Sequence, residues 1–395
     1  MNLQSSLFPS TNIRVVPTDY RLRLPGPVAV PERVRSAGAQ PVLSHRGPEF
    51  RAILAETLTS LARVFGTTRD IFLLGTSGTG AMEAALANVL APGDALLVLC
   101  NGQFGERFAA IGEAMGAAVD RLQTPWGEAP NPAAVAAHVN AKSYRAVACV
   151  HNESATGVVA DVAAIGAVLR DTPTLLVVDS VSGVAGIEMR MDDWGVDILV
   201  AASQKALMSP PGLAFAAVSD KAVRAIERAD TVPRFYFDFR RAKAALDKGE
   251  TSFTPPVSLV LGLREALVMI EEEGLPAVLE RHRRLSAALR AGFVALGLPM
   301  FPTAPTLSAT VTVGVVPDGL DGGAIVRHMH GRYRTVIAGQ RTKLQGRVIR
   351  IGTMGAIGPA DILADLHYLE CTLRDLGRAP QPSAGVDAAA NVLAP

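Results

Sequence analysis

Two oppositely charged residues near the middle of the chain each follow an apolar run. Asp179 closes Leu175–Asp179 (LLVVD), and Lys205 comes shortly after Ile198–Ala201 (ILVA). They are 26 residues apart (205 − 179 = 26). A carboxylate at a strand end is commonly a turn or N-cap residue. Lys205 fits a solvated surface poorly, because its flanks, Ala201-Ala202-Ser203-Gln204 and Ala206-Leu207-Met208, are mostly small or apolar. If both runs are neighbouring strands, the carboxylate and the amine stand on opposite sides of a flat ligand.

Pyridoxal chemistry needs this arrangement. A lysine amine condenses with the cofactor aldehyde, and a carboxylate pairs with the pyridinium nitrogen. The protonated ring then draws electrons from a substrate α-carbon as its proton leaves.

The elements that must position this pair follow from apolar periodicity. Phe50, Ile53, Leu54, Leu58, Leu61 and Phe65 recur at close to 3.6 residues, which predicts a helix over 48–65. A short strand, Ile71–Leu74, runs into the glycine-rich turn GTSGTG and a helix. Strands at Ala95–Cys100, Ala146–Val150, Leu175–Asp179, Ile198–Ala201 and Leu213–Val218 follow, with helices at Phe104–Met115 and Val162–Arg170. Apolar runs of this kind alternating with helices predict an α/β fold whose mostly parallel sheet is covered on both faces. Ligands on such sheets sit at the carboxyl ends of the strands, where Asp179 and Lys205 fall. Residues 221–256 read as a less regular connection, followed by helices at Val257–Glu273 and from Gly274 to Arg290. Strands near Thr310–Val315 and Arg347–Ile351, with helices near Gly322–His330 and Ala360–Leu376, make a smaller α+β domain. The expected division is an N-terminal arm (1–24), a large domain (25–274), a small C-terminal domain (275–377) and a flexible Pro/Ala-rich tail (378–395).

The segment ILVAASQKALMSPPGLAFAAVS resembles the cofactor-lysine segment of the class V aminotransferases, where Ser-Gln-Lys precedes Pro-Pro-Gly and a strand. It is most similar to the alanine–glyoxylate and serine–glyoxylate (serine–pyruvate) group, and the resemblance extends over about residues 22–376. It implies pyridoxal 5′-phosphate as cofactor and the type I pyridoxal-phosphate fold. It also implies a homodimer with sites at the subunit interface. The activity implied is transfer of an amino group from alanine or serine to glyoxylate or pyruvate. Similar enzymes use aspartate or ureidoglycine as donor instead.

Position by position, Ser77, Gly78 and Thr79 match the turn for the cofactor phosphate. Small residues there let backbone N–H groups approach, and a helix N-terminus adds positive potential. The turn lacks the Gly-Lys-Ser/Thr ending of a nucleotide P-loop and departs from GxGxxG. Phe104 matches the aromatic that stacks on the pyridine ring, although core packing is its plain alternative. In HNESATG, either Ser154 or Thr156 matches the hydroxyl that reaches the ring, and Gln204 lies beside the lysine. Thr254 matches a residue directed at the neighbouring subunit's phosphate; Thr251 stands where some members carry Tyr. Arg350 matches the arginine that forks onto the substrate carboxylate. His45 and Arg46 resemble a basic pair near the site across the dimer, and Gly26-Pro27 a loop beside the substrate.

The totals agree. Hydrophobic residues make up 49% and charged residues 19%, enough for a large core. A net charge of +1 gives no footprint for nucleic acid or an anionic membrane. Cys100, Cys149 and Cys371 have neither disulfide nor zinc-site spacing and read as thiols in a reducing cytoplasmic setting. A cysteine desulfurase would need a nucleophilic cysteine, which Gly331–Arg347 lacks, and a His where Gln204 stands. A nicotinamide oxidoreductase leaves Lys205 unexplained. A cofactor-binding scaffold without catalysis does not account for the intact set of Asp179, Lys205 and Arg350.

Overall fold

The structure is a computed structural model. It describes residues 20–227, 233–303, 305 and 307–394. Most of the expected arm, residues 1–19, lies outside the described residues.

Seven strands form the main sheet: β1 (Asp70–Leu74), β2 (Ala95–Cys100), β3 (Ala118–Gln123), β4 (Ala146–Val150), β5 (Leu175–Asp179), β6 (Ile198–Ala202) and β7 (Ala214–Val218). Their spatial order is β1-β7-β6-β5-β4-β2-β3. β7 runs antiparallel to both neighbours, and the other pairs are parallel. Alternate side chains serve two cores, as the two-residue period of a strand requires. Leu97, Leu99, Val147, Cys149, Leu176, Val178, Leu199 and Phe215 face one way, toward helices α1 (Pro48–Phe65) and Val257–Glu273. Leu96, Val98, Ala148, Val177, Val200 and Ala202 face the other, toward α2 (Gly78–Ala87) and α3 (Gln103–Ala114).

Beyond Gly274, α4 (Leu275–Ala295) and α5 (Pro359–Asp375) pack on an antiparallel pair, Val311–Val315 with Val348–Gly352. Leu289, Phe293, Ile349, Ile351, Ile362 and Leu366 fill this second core.

Several expectations change. The tail expected to be flexible, 378–395, contains a helix, α6 (Ala384–Leu393), whose Ala389 is buried against the second core. Gly292 on α4 and Gly385 on α6 explain the close approach, since a Cβ at Gly292 would lie 2.9 Å from the Gly385 carbonyl oxygen. The Ala-rich composition taken as low complexity is also that of a good helix former. The end of the expected arm is tied down as well. Arg21–Leu22 pairs with Thr335–Val336, and Arg23 Nε donates to Asp365 Oδ2 at 2.6 Å, with both side chains buried. The connection 221–256 carries two short helices, Asp220–Glu227 and Phe239–Leu246. Three further elements lacked clear periodicity: helices Glu32–Gly38 and Pro132–Ala141, and the half-exposed edge strand β3. No helix among the described residues is long and apolar enough to cross a membrane.

Candidate active site

Asp179 is the last residue of β5 and pairs in register with Val200 of β6. The chain leaves β6 at Ala202 and folds back on itself at once. Ser203 Oγ donates to the Pro210 carbonyl at 2.6 Å, Met208 N–H to the Lys205 carbonyl at 2.9 Å, and Ser209 N–H to the Ser203 carbonyl at 3.1 Å. These bonds account for the spacing between Ser203 and the Pro210-Pro211 pair, and they hold Lys205 over the carboxyl end of the sheet.

A cavity of about 130 Å³ opens there. Ser77, Gly78, Thr79, Phe104, Ser154, Asp179, Gln204 and Lys205 all line it. Eight of the residues singled out from sequence therefore converge from five separate segments. Gly26 abuts the same lysine: Lys205 Nζ donates to the Pro25 carbonyl, and a Cβ at Gly26 would come within 2.6 Å of Lys205 Cε.

The electrostatics suit a bound ring. Burial pushes the Asp179 carboxyl up to about 6, opposed by the Val181 N–H (2.8 Å) and the charges of Lys205 and Arg107. Burial lowers the Lys205 ammonium to about 8, opposed by Asp179. The lysine thus keeps a neutral, nucleophilic fraction near neutral pH.

Ser77 caps α2 by accepting from Gly80 N–H at 3.3 Å, which leaves the first-turn N–H groups of Gly78 and Thr79 without helical partners. A Cβ at Gly78 would lie 2.8 Å from Val181 Cγ2, so only glycine fits this turn unchanged.

Arg350 stands on the strand Val348–Gly352. Its Nε and Nη2 donate to the Gly339 carbonyl at 3.0 and 2.8 Å, and Nη1 donates to the Ser154 carbonyl at 2.9 Å. A guanidinium has five N–H donors, so two remain, one on each terminal nitrogen. Burial holds this group down at about 10.

The remaining expected residues lie apart. Thr156 is fully buried, does not line the cavity, and turns its hydroxyl onto the Glu153 carbonyl at 3.4 Å. Thr254 Oγ1 lies 3.4 Å from His45 Nε2, in a different depression beside Gly75 and Tyr236. Arg46 pairs with Glu250, which also meets Arg51 at 2.5 Å. Within one chain these residues do not reach Lys205.

Sequence reasoning missed two residues. Glu153, fully buried, accepts from the N–H groups of Phe104 (2.8 Å), Gly105 (3.3 Å) and Ala155 (3.0 Å), and so seats the start of α3. Burial pushes its carboxyl up to about 7. Arg107 lines the cavity one helical turn beyond Phe104, in NGQFGERF. His151, the first residue of HNESATG, is buried against Ser180 Oγ at 2.8 Å and held neutral, its ring lowered to about 4 by burial.

Residues 33–349 match the family model Aminotransferase class-V. The chain belongs to that family. It is 40% identical over 378 residues to the soluble hydrogenase small subunit of a Synechococcus strain, covering 94% of this chain and 98% of the relative. It is 38% identical to the L-aspartate–glyoxylate aminotransferase of Paracoccus denitrificans, covering 93% and 94%. The crystal structure of alanine–glyoxylate aminotransferase from Nostoc superposes with a TM-score of 0.89 at 29% identity, over 93% of this chain and 100% of that one. The fold is that of the type I pyridoxal-phosphate enzymes, and the chain is an aminotransferase.

The cavity fits that cofactor on three observations. Asp179 offers a buried carboxylate for a ring nitrogen, α2 offers free N–H groups for a phosphate, and Lys205 offers an amine for the aldehyde. Two buried side-chain oxygens, Asn152 Oδ1 and Gln204 Oε1, also lack partners among the described residues and border the same space.

Proposed function

We propose that this aminotransferase uses pyridoxal 5′-phosphate, held by Lys205, to pass the amino group of alanine or serine to glyoxylate or pyruvate in two half-reactions. The carrying observation is the convergence of Lys205, Asp179 and the α2 turn on one cavity, with Arg350 fixed nearby by three bonds to backbone carbonyls. When bound, the cofactor supplies an electron sink for the charge left on the substrate α-carbon. Asp179 keeps the ring nitrogen protonated. Lys205 would hold the cofactor aldehyde, and its Nζ would take and return the substrate α-proton. Arg350 would receive the substrate carboxylate on its two remaining N–H groups and so orient the substrate. Ser154, which lines the cavity, is the better candidate of the HNESATG hydroxyls for the ring.

The names of the relatives support glyoxylate as acceptor, because the Paracoccus and Nostoc proteins are both named for it. The Paracoccus name also supports a second reading, in which aspartate is the donor. Thr254, His45 and Arg46, remote from their own Lys205, support a homodimer in which each chain completes the other's site. Three unpaired cysteines support a reducing, cytoplasmic setting.

The test is the visible spectrum of purified protein. Wild type shows the absorption band of lysine-linked cofactor, and Lys205→Ala does not. Alanine, serine and aspartate are then added separately; the one that bleaches the band is the donor. A protein that takes up no added cofactor overturns the reading.

A further inference from the structure

Arg107 carries a positive charge into the cavity, and no carboxylate among the described residues pairs with it. Its Nη1 donates to Thr79 Oγ1 at 3.0 Å, and its guanidinium carbon lies 4.7 Å from the centre of the Phe104 ring. Both contacts follow from position. Phe104 and Arg107 are three residues apart on α3 and share a face (107 − 104 = 3). That face looks across at the first turn of α2, where Thr79 presents a backbone N–H with no helical partner. Because Thr79 Oγ1 accepts from Arg107, its hydroxyl hydrogen stays available to a bound oxygen.

A second observation concerns the depression beside Gly75, which Thr251 lines. The resemblance places Thr251 where some class V members carry a tyrosine, near the residue directed at the neighbouring subunit's phosphate. Here the Thr251 hydroxyl donates to the Phe253 carbonyl at 2.7 Å, and the side chain is buried. It is committed to its own loop and so offers no hydroxyl to a neighbouring subunit's cofactor.

We propose that Arg107 makes a charge-assisted contact to the cofactor phosphate beside Thr79, on the side where its hydrogen bond to Thr79 Oγ1 already holds it. The inference rests on the cofactor reading above. Guanidinium suits the role because its planar donors can reach Thr79 and a phosphate oxygen at once.

The experiment is equilibrium titration of full-length, cofactor-stripped protein with pyridoxal 5′-phosphate and, separately, with pyridoxal, which lacks the phosphate. Wild type, R107Q and R107K are compared by absorbance and by fluorescence quenching. The expected result is that R107Q binds pyridoxal 5′-phosphate about ten- to hundred-fold more weakly than wild type. Its affinity for pyridoxal stays unchanged, which also shows that the cavity is intact. R107K, which keeps the charge but not the fork, falls between the two. Equal losses for both ligands overturn the phosphate role and leave Arg107 as a support for Phe104. No loss for either ligand overturns the proposal outright. Wild type that binds neither ligand sinks the cofactor reading itself, and this inference with it.

Discussion

Asp179 and Lys205 leave adjacent parallel strands, and the Cα partner of Asp179 is Val200, five residues ahead of the lysine (205 − 200 = 5). The sheet register and the turn closed by Ser203 and Pro210 together bring the carboxylate and the amine to one cavity.

Asp179→Asn keeps the shape of the side chain but removes its charge. A neutral amide no longer favours a protonated ring nitrogen. Losing one member of a buried charge pair costs about 3–5 kcal/mol. If that cost falls on the transition state, kcat drops by about two to three-and-a-half orders of magnitude. Folding and cofactor uptake persist. Stopped-flow measurement of the half-reaction, alongside the visible spectrum, checks this.

Arg350→Lys removes the paired N–H groups while retaining a cation. One ammonium cannot reproduce both the bonds to Gly339 and Ser154 and a forked grip on a carboxylate. The expected loss is about 10- to 100-fold in kcat/KM, mostly in KM, for amino acid and oxo acid alike. A decarboxylated amine such as ethylamine, poor with both enzymes, should show little difference between them.

Gly26→Ala places a methyl group where Lys205 now lies. Gly26 also has φ +100, a region that side chains disfavour. The lysine and the Pro25–Pro27 turn must separate. Misplacement on the scale of about 1 Å lowers the rate about 100-fold. The absorption band should shift with it, while the thermal midpoint moves by only a few degrees.

His282 gives a pH dependence. It is fully buried; Nδ1 meets the Val278 carbonyl at 2.7 Å, and Nε2 accepts from Gly355 N–H at 3.1 Å. Burial, with Arg281 beside it and Glu273 opposing, lowers the ring from its ordinary 6.5 to about 4. Between those values the unfolded chain takes the proton and the folded chain does not. Stability is complete above pH 6.5 and is lost as pH falls toward 4. At pH 5 the loss from this group is about 2 kcal/mol. In urea unfolding at pH 7 and pH 5, wild type should lose about that much more than His282→Gln, which cannot titrate.

How far the sequence could be read depended on how strongly each segment was constrained. Strands β1, β2 and β4 to β7 were legible because burial on both faces leaves an unbroken apolar run. The edge strand β3, with Asp120 and Arg121 in its middle, carries no such signal. Lys205, Asp179 and the α2 turn were legible because their chemistry restricts residue type and spacing together. Arg107 was not, because an arginine in a helix ordinarily faces solvent, and only the packing of α3 across α2 turns it inward. Thr254 and His45 were legible only through resemblance, since nothing near them in one chain asks for their chemistry. The α6 helix was obscured by two prolines and a run of alanines, and its burial depends on a glycine far away in sequence, Gly292.

The buried pair of Arg23 and Asp365 also bears on biosynthesis. The two residues are 342 positions apart. At roughly 5–20 residues per second, a ribosome needs about 20–70 s to deliver the carboxylate after the guanidinium has emerged. For most of that interval Arg21–Leu22 has nothing to pair with, because Thr335–Val336 is also still to be made. Residues 21–23 are thus late to dock, and the nascent protein must keep them unattached until Asp365 has been made.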